Sequence, residues 1–402
     1  MKILLLSLFV ACKKEPAEQD DPTTKVDPPE DSDAPADTWT VLVYMDGDND
    51  LESYVMHDLN ELEEGGEGSG VRVLVQADRI EGYADNGGDW TGTRRYEIVG
   101  DQGNTMVSPL VEDMGELDMG DPQTLGDFLS WAREYAPAEH YALFLWNHGD
   151  SWTARANLIA SDDTSGSWMS IAEGDLTAGL QAHVAEAGPF DLIGFDACYM
   201  ASWEVAHSLK DQGRVMLASE AWVGGEGVFY APFLKGLRAD PGGDVGELAV
   251  AAAALSVAEG GERTFSAIDL TKIDAISAAV DALAGWGLSS AEATEALDQA
   301  RRGAEGADPD WPKWYMDLGS LADAAAEGAP PEASGATLRA ELDAAVLGRF
   351  GDDTWGWTSG LTIMGDVHDT ESLELYQQGS WARDGRWDDF LIAAGDSVQA
   401  AR

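Results

Sequence analysis

Five short stretches of this chain are predominantly apolar and end on polar residues: WTVLVYMD (Trp39 to Asp46), VRVLVQAD (Val71 to Asp78), YALFLWN (Tyr141 to Asn147), DLIGFDAC (Asp191 to Cys198) and RVMLASE (Arg214 to Glu220). A strand with one wet face alternates apolar and polar residues, whereas runs like these need cover on both faces. Helix-period segments lie between them. In LESYVMHDLNELEE, residues Leu51, Tyr54, Val55, Leu59 and Leu62 form one apolar stripe; Thr124 to Tyr135, about Ile171 to Ala187, and MASWEVAHSLK also read as helices. Strand–helix alternation of this kind predicts an α/β fold, with a largely parallel sheet between two helical layers and a helix-sized crossover at every connection. TRRYEIVG adds a short strand.

Sites in such folds sit at the carboxyl ends of the strands. The polar residues cluster there: DGDND after the first strand, NHGDSW after the third, DAC after the fourth and SEAWVGGEG after the fifth. Beyond Tyr230 the chain becomes Ala-rich and helical, with TFSAIDL and SGLTIMGD as added strands. Without a second linker or an internal repeat, residues 39–240 read as the core. Residues 241–402 read as a helix-rich extension packed on that core.

With 44% hydrophobic residues and 15 Trp, the chain has ample material for a sizeable interior. A net charge of −50 repels nucleic acid and anionic headgroups and attracts cationic peptides. Nucleic acid is therefore excluded as an expected partner. At the N-terminus, Lys2 precedes an apolar run from Ile3 to Ala11, and Cys12 follows. Residues 1–12 read as a signal peptide whose FVAC end resembles a bacterial lipobox, in which the cysteine after the cut is lipidated. Residues 13–38 read as an acidic, Pro-rich tether. The apolar run is shorter than the ~20 residues of a membrane-spanning helix. The expected location is the bacterial cell envelope, through a lipid anchor on the periplasmic or outer surface.

If Cys12 carries lipid, the second of only two cysteines, Cys198, has no partner in the chain. His148 and Cys198 both follow strand ends, where two side chains can share one cleft. The spacing places Cys198 at the first turn of the helix MASWEVAHSLK, where the positive helix end would favour a thiolate. His148 can act as general acid and base, and Gly149 supplies a backbone N–H for an oxyanion. A serine hydrolase is excluded for want of a G-x-S-x-G elbow. Asp46-x-Asp48-x-Asp50 fails as an EF-hand, lacking Gly at the sixth position and Glu at the twelfth. A looser calcium site there stays open, and no metal ligand set is assigned. His57 and His207 read as surface or core-edge residues. The Trp residues read mostly as core, with Trp152 and Trp222 able to border the cleft.

LFLWNHGDSW, LIGFDACYMASWEVA and ASEAWVGGEGVFY occur in that order, preceded by WTVLVYMDGDNDLE and followed by GLTIMGD. Together they resemble the clostripain-like cysteine peptidases of the caspase–haemoglobinase fold group, from about Trp39 almost to the end. The resemblance implies a caspase-like three-layer sandwich and a His148–Cys198 dyad, with the backbone N–H groups of Gly149 and Cys198 holding the oxyanion. It implies cleavage after Arg or Lys, with Asp196 and Glu226 as the acids of the specificity pocket. No cofactor is required for that chemistry, though some relatives depend on calcium. It also implies self-cleavage between the two catalytic segments, for which Arg155 is the candidate bond. The sequence departs from the family at Gly224-Gly225-Glu226-Gly227-Val228 and at Met364-Gly365-Asp366. The competing expectation is an inactive surface-binding lipoprotein that keeps the peptidase fold.

Overall fold

In the computed structural model the described residues are 38–400, except 67, 69, 102, 104, 154–158, 305–314, 327, 328, 367 and 368. The expected signal peptide, its Cys12, the tether before residue 38 and Arg155 lie outside the described residues. Strands β1 (Trp39–Gly47), β2 (Val71–Arg79), β3 (Thr93–Glu97), β4 (Leu110–Gly115), β5 (His140–Trp146), β6 (Phe190–Asp196), β7 (Gly213–Ala218) and β8 (Thr264–Asp269) follow one another along the chain. Three shorter strands complete the set: β9 (Tyr315–Asp317), β10 (Val346–Gly351) and β11 (Thr362–Met364). Nine strands form one sheet in the order β10-β8-β7-β6-β5-β1-β2-β3-β4, and β9 pairs with β11 apart from it.

The five apolar segments of the sequence become the parallel centre, β2, β1, β5, β6 and β7. Their side chains alternate between two interiors. Val41, Val43 and Met45 of β1 point to one, with Val55 and Leu59 of α1 (Glu52–Glu64). Leu42 and Tyr44 point to the other, with Leu125 and Phe128 of α2 (Pro122–Tyr135). Helices α3 (Asp175–Ala187), α4 (Trp203–Leu209) and α7 (Ile273–Gly287) join α2's side; α5 (Tyr230–Ala239) and α6 (Val245–Ala258) join α1's. This is the three-layer sandwich expected.

Two expectations need correction. The flanks are antiparallel: β3 pairs antiparallel with β2, β4 with β3, β8 with β7 and β10 with β8. Hence β2 to β3 and β3 to β4 turn back without a helical crossover. TRRYEIVG and TFSAIDL, expected as strands, become β3 and β8; their direction, and the edge strands β4 and β10, have no sign in the apolar pattern. The helix expected from Ile171 begins at Asp175, because Ile171 to Gly174 form a turn. Among the described residues no helix is long and apolar enough to cross a membrane.

Gly194 in the middle of β6 has a steric reason. A Cβ there would lie 2.4 Å from Cδ1 of Phe144, the buried ring opposite it on β5. Gly194→Ala is expected to cost about 1–3 kcal/mol by overpacking. Urea unfolding in the Cys198→Ala background measures this, and Phe144→Leu should recover part of the loss in the double variant.

Candidate active site

The chain runs from β1 outward to β2 in one direction and resumes at β5 on the other side of β1. Strand order thus reverses between β1 and β5, and the crevice at their carboxyl ends is where such sheets bind ligands. A cleft of about 170 Å³ opens there, lined by residues that include His148, Cys198, Asp196, Asp58, Tyr54 and Trp222. The sheet register explains the meeting of the first two. Trp146 of β5 pairs with Asp196 of β6, so His148 and Cys198 each stand two residues beyond that pair.

Cys198 is not on a helix. After Asp196 the chain turns through Tyr199, whose φ of +60° is in the left-handed region, and α4 begins only at Trp203 with Ser202 as its cap. The expected help from a helix N-terminus is therefore absent. The Sγ atom receives the Val223 N–H at 3.3 Å and lies 3.7 Å from the Val223 carbonyl oxygen. Burial pushes the thiol up to about 11, further raised by the negative Glu262, Asp196 and Asp150, while the Val223 N–H opposes the shift. In the substrate-free protein Cys198 is a protonated thiol at neutral pH.

His148 Nε2 is 2.7 Å from Asp50 Oδ1, so the β1–α1 loop orients the ring. Gly149 packs directly on the Cys198 backbone: a Cβ on it would meet the Cys198 carbonyl oxygen at 2.5 Å and the Cys198 nitrogen at 3.0 Å. Only glycine permits that approach. The two N–H groups expected to hold an oxyanion are thereby neighbours.

Asp196 is buried at 6% exposure, and its Oδ2 has no hydrogen-bond partner among the described residues. Burial raises its carboxyl to about 7. Glu226 stands elsewhere. It is exposed, 3.6 Å from His57 Nε2, beside a neighbouring groove with Glu61 and Glu64 rather than in the cleft. The second acid facing the cleft is Asp58 of α1, which sequence reasoning missed. Its Oδ2 accepts the Trp146 indole N–H at 2.5 Å, and its Oδ1 is buried without a partner among the described residues. Burial, and then the charge of Asp196, raises its carboxyl well above the usual range. Tyr54 and Asp58 are one helical turn apart, and it is the packing of α1 that turns both toward the cleft.

Glu262 is the other residue missed. Its carboxylate accepts the N–H groups of Gly224 at 2.7 Å and Gly227 at 3.1 Å, clasping the loop that walls the cleft. Gly227, at φ +55°, lets that loop close on Asp196, whose Oδ1 would lie 2.2 Å from a Cβ there. Trp222 borders the cleft as expected, but Trp152 is buried against Tyr376 and Trp381. His207 is buried on Ser380 and His183 stacks on Phe190.

A parallel sheet that brings a cysteine and a histidine to adjacent strand ends, above a pair of buried acids, defines an α/β class with a Cys–His cleft. Residues 43–303 match the clostripain family, peptidase family C11, and the chain belongs to that family. Clostripain of Hathewaya histolytica is 27% identical over 224 residues, which is 50% of this chain and 43% of that protein. This chain thus aligns with less than half of that relative's length. Two solved structures share the fold. One is a secreted C11 cysteine protease of Bacteroides thetaiotaomicron in complex with an irreversible peptide inhibitor: 21% identical, covering 87% of this chain and 99% of that one, TM-score 0.67. The other is an inactive zymogen C11 protease of Parabacteroides distasonis: 20% identical, covering 86% and 97%, TM-score 0.65.

The raised thiol has a measurable consequence. Only the thiolate reacts with iodoacetamide, and below its pKa the thiolate fraction grows about tenfold per pH unit. Alkylation of Cys198, followed by peptide mass, should climb without a plateau between about pH 6 and about pH 9. A plateau near neutrality would mean an already ionised cysteine.

Proposed function

We propose that this protein is an exported endopeptidase that cuts peptide chains after Arg or Lys. The observation that carries this reading is a single cleft holding Cys198, His148 and the unpartnered carboxylate oxygens of Asp196 and Asp58. A substrate guanidinium or ammonium supplies the positive charge those acids lack, and charge-assisted hydrogen bonds give the choice of side chain. Its arrival also neutralises Asp196, one of the charges that keep the Cys198 thiol protonated.

In the catalytic cycle His148 takes the thiol proton as Sγ attacks the scissile carbonyl carbon. The resulting oxyanion lies against the N–H groups of Gly149 and Cys198. His148 then gives the proton to the departing amine, leaving a thioester that water hydrolyses to release the acid and restore the thiol. The chemistry needs no cofactor. Asp50 holds the histidine, and Glu262 holds the specificity loop. Lipid at Cys12 would tether the enzyme to the envelope, and self-cleavage after Arg155 would be an activating step. The density of acid on the chain favours basic peptides over nucleic acid as partners.

Fluorogenic peptides ending in Arg, Lys or Asp test the reading. Cys198→Ala should lower kcat/KM by at least ~10³-fold, and Gly149→Ala by ~10²-fold or more through the oxyanion. Asp196→Asn should cost the Arg substrate ~10²-fold or more, mainly in KM, and Asp58→Asn should cost less. Wild-type activity no higher than that of Cys198→Ala would favour the non-catalytic lipoprotein. Cleavage after Asp alone would overturn the role given to the acids.

A further inference from the structure

We propose that Trp222, Trp355 and Trp357, with Arg263 set between the first two, form a second recognition surface continuous with the cleft. It takes an aromatic side chain of the substrate peptide, a few residues from the bond that is cut. The proposal rests on the peptidase reading above and adds to it a determinant that works by stacking rather than by charge.

The guanidinium carbon of Arg263 lies 5.2 Å from the Trp222 ring centre and 5.9 Å from that of Trp355. Trp355 in turn stacks on Trp357, with ring centres 5.6 Å apart and planes 23° from parallel. Trp355 is buried, whereas Trp222 is 51% and Trp357 39% exposed. Indole faces left in water cost free energy, and exposed aromatic groups concentrate where proteins bind partners. Trp222 also lines the cleft, so the row begins beside His148 and Cys198 and leads away from them. At ~3.4 Å per residue, an extended peptide covers a row of three such steps with about five residues.

The surface is held in place before any peptide arrives. The Asp352 N–H donates to the Arg263 carbonyl at 2.9 Å, and Asp352 Oδ1 accepts the N–H groups of Thr354 and Trp355. Glu220, two residues before Trp222, accepts the Gly360 N–H on Oε1 at 2.5 Å. The β10–β11 connection, which carries Trp355 and Trp357, is thereby tied to the loop that carries Trp222. A rigid surface of this kind costs a ligand little ordering. The occupant's chemistry follows from the surroundings. Arg263 interacts electrostatically with the neighbouring Asp352, so their charges offset, in contrast to the acids under the cleft. An aromatic ring gains by stacking on the exposed indoles, and a second Lys or Arg finds no excess of acid there.

Calorimetry on the full chain carrying Cys198→Ala tests this without relying on cleavage. The probes are Arg peptides with Phe or Ser placed at each of the five positions on either side of the Arg. The expected result is binding at least ~5-fold tighter for Phe than for Ser at one or two of those positions. Trp357→Ala, a surface change outside the cleft, should remove that gain and leave the Ser peptide's affinity unchanged. Trp357→Phe should keep most of the gain. Equal affinity for Phe and Ser at every position, or the gain intact in Trp357→Ala, would overturn the proposal. So would a dimer of the parent chain, seen by sedimentation, that Trp357→Ala dissolves, since a second copy would then occupy the surface. A short Arg substrate still cleaved by the parent enzyme while the Phe gain is missing sinks the aromatic surface alone; loss of both sinks the peptidase reading with it.

Discussion

The pairing of Trp146 with Asp196 fixes the geometry of everything at this site. Because strand side chains alternate faces, slipping β5 against β6 by one residue would exchange the two interiors and pull His148 and Cys198 apart. The register is locked from both sides. Phe144 fills the space left by Gly194, and the Asn147 N–H reaches the Asp196 carbonyl at 3.2 Å just past the last pair. The Trp146 indole then leaves the sheet to bind Asp58, so one residue sets both the strand level and the floor of the cleft. A parallel sheet supplies this arrangement cheaply, since it delivers every strand end to one edge.

That edge is also where the molecule concentrates buried acids that have no cationic partner among the described residues. Asp58 and Asp196 lie under the cleft, and Asp46, Asp48 and Asp78 lie beside it, all buried. A protein stable only by a small margin keeps such groups where function needs them. Burial holds the Cys198 thiol protonated, and the neighbouring acids add to that shift.

Much of this was legible in the sequence. The doubly apolar strands announced the parallel centre, and polar clusters at their ends located the cleft, because both follow from burial on two faces. His148, Gly149, Cys198 and Asp196 could be found from their strand-end positions and the ordered motifs. Asp58 and Glu262 could not, since each reaches the cleft from an element whose packing angle no local pattern records. Glu226 looked right because it follows two glycines in a cleft-side loop, yet that loop faces Glu262 with its backbone and turns the Glu226 side chain outward. The helix expected at Cys198 failed for a related reason. Tyr199 takes the left-handed turn and delays the helix to Trp203.

Glu262 also bears on what counts as a unit of this fold. It sits in the turn leading into β8, outside the stretch that carries His148 and Cys198, yet its two hydrogen bonds shape the wall of the cleft. The residues that line the cleft and the residue that shapes its wall are therefore not separable by cutting the chain. Substitutions in the distal half can alter the shape of the cleft while His148 and Cys198 stay as they are.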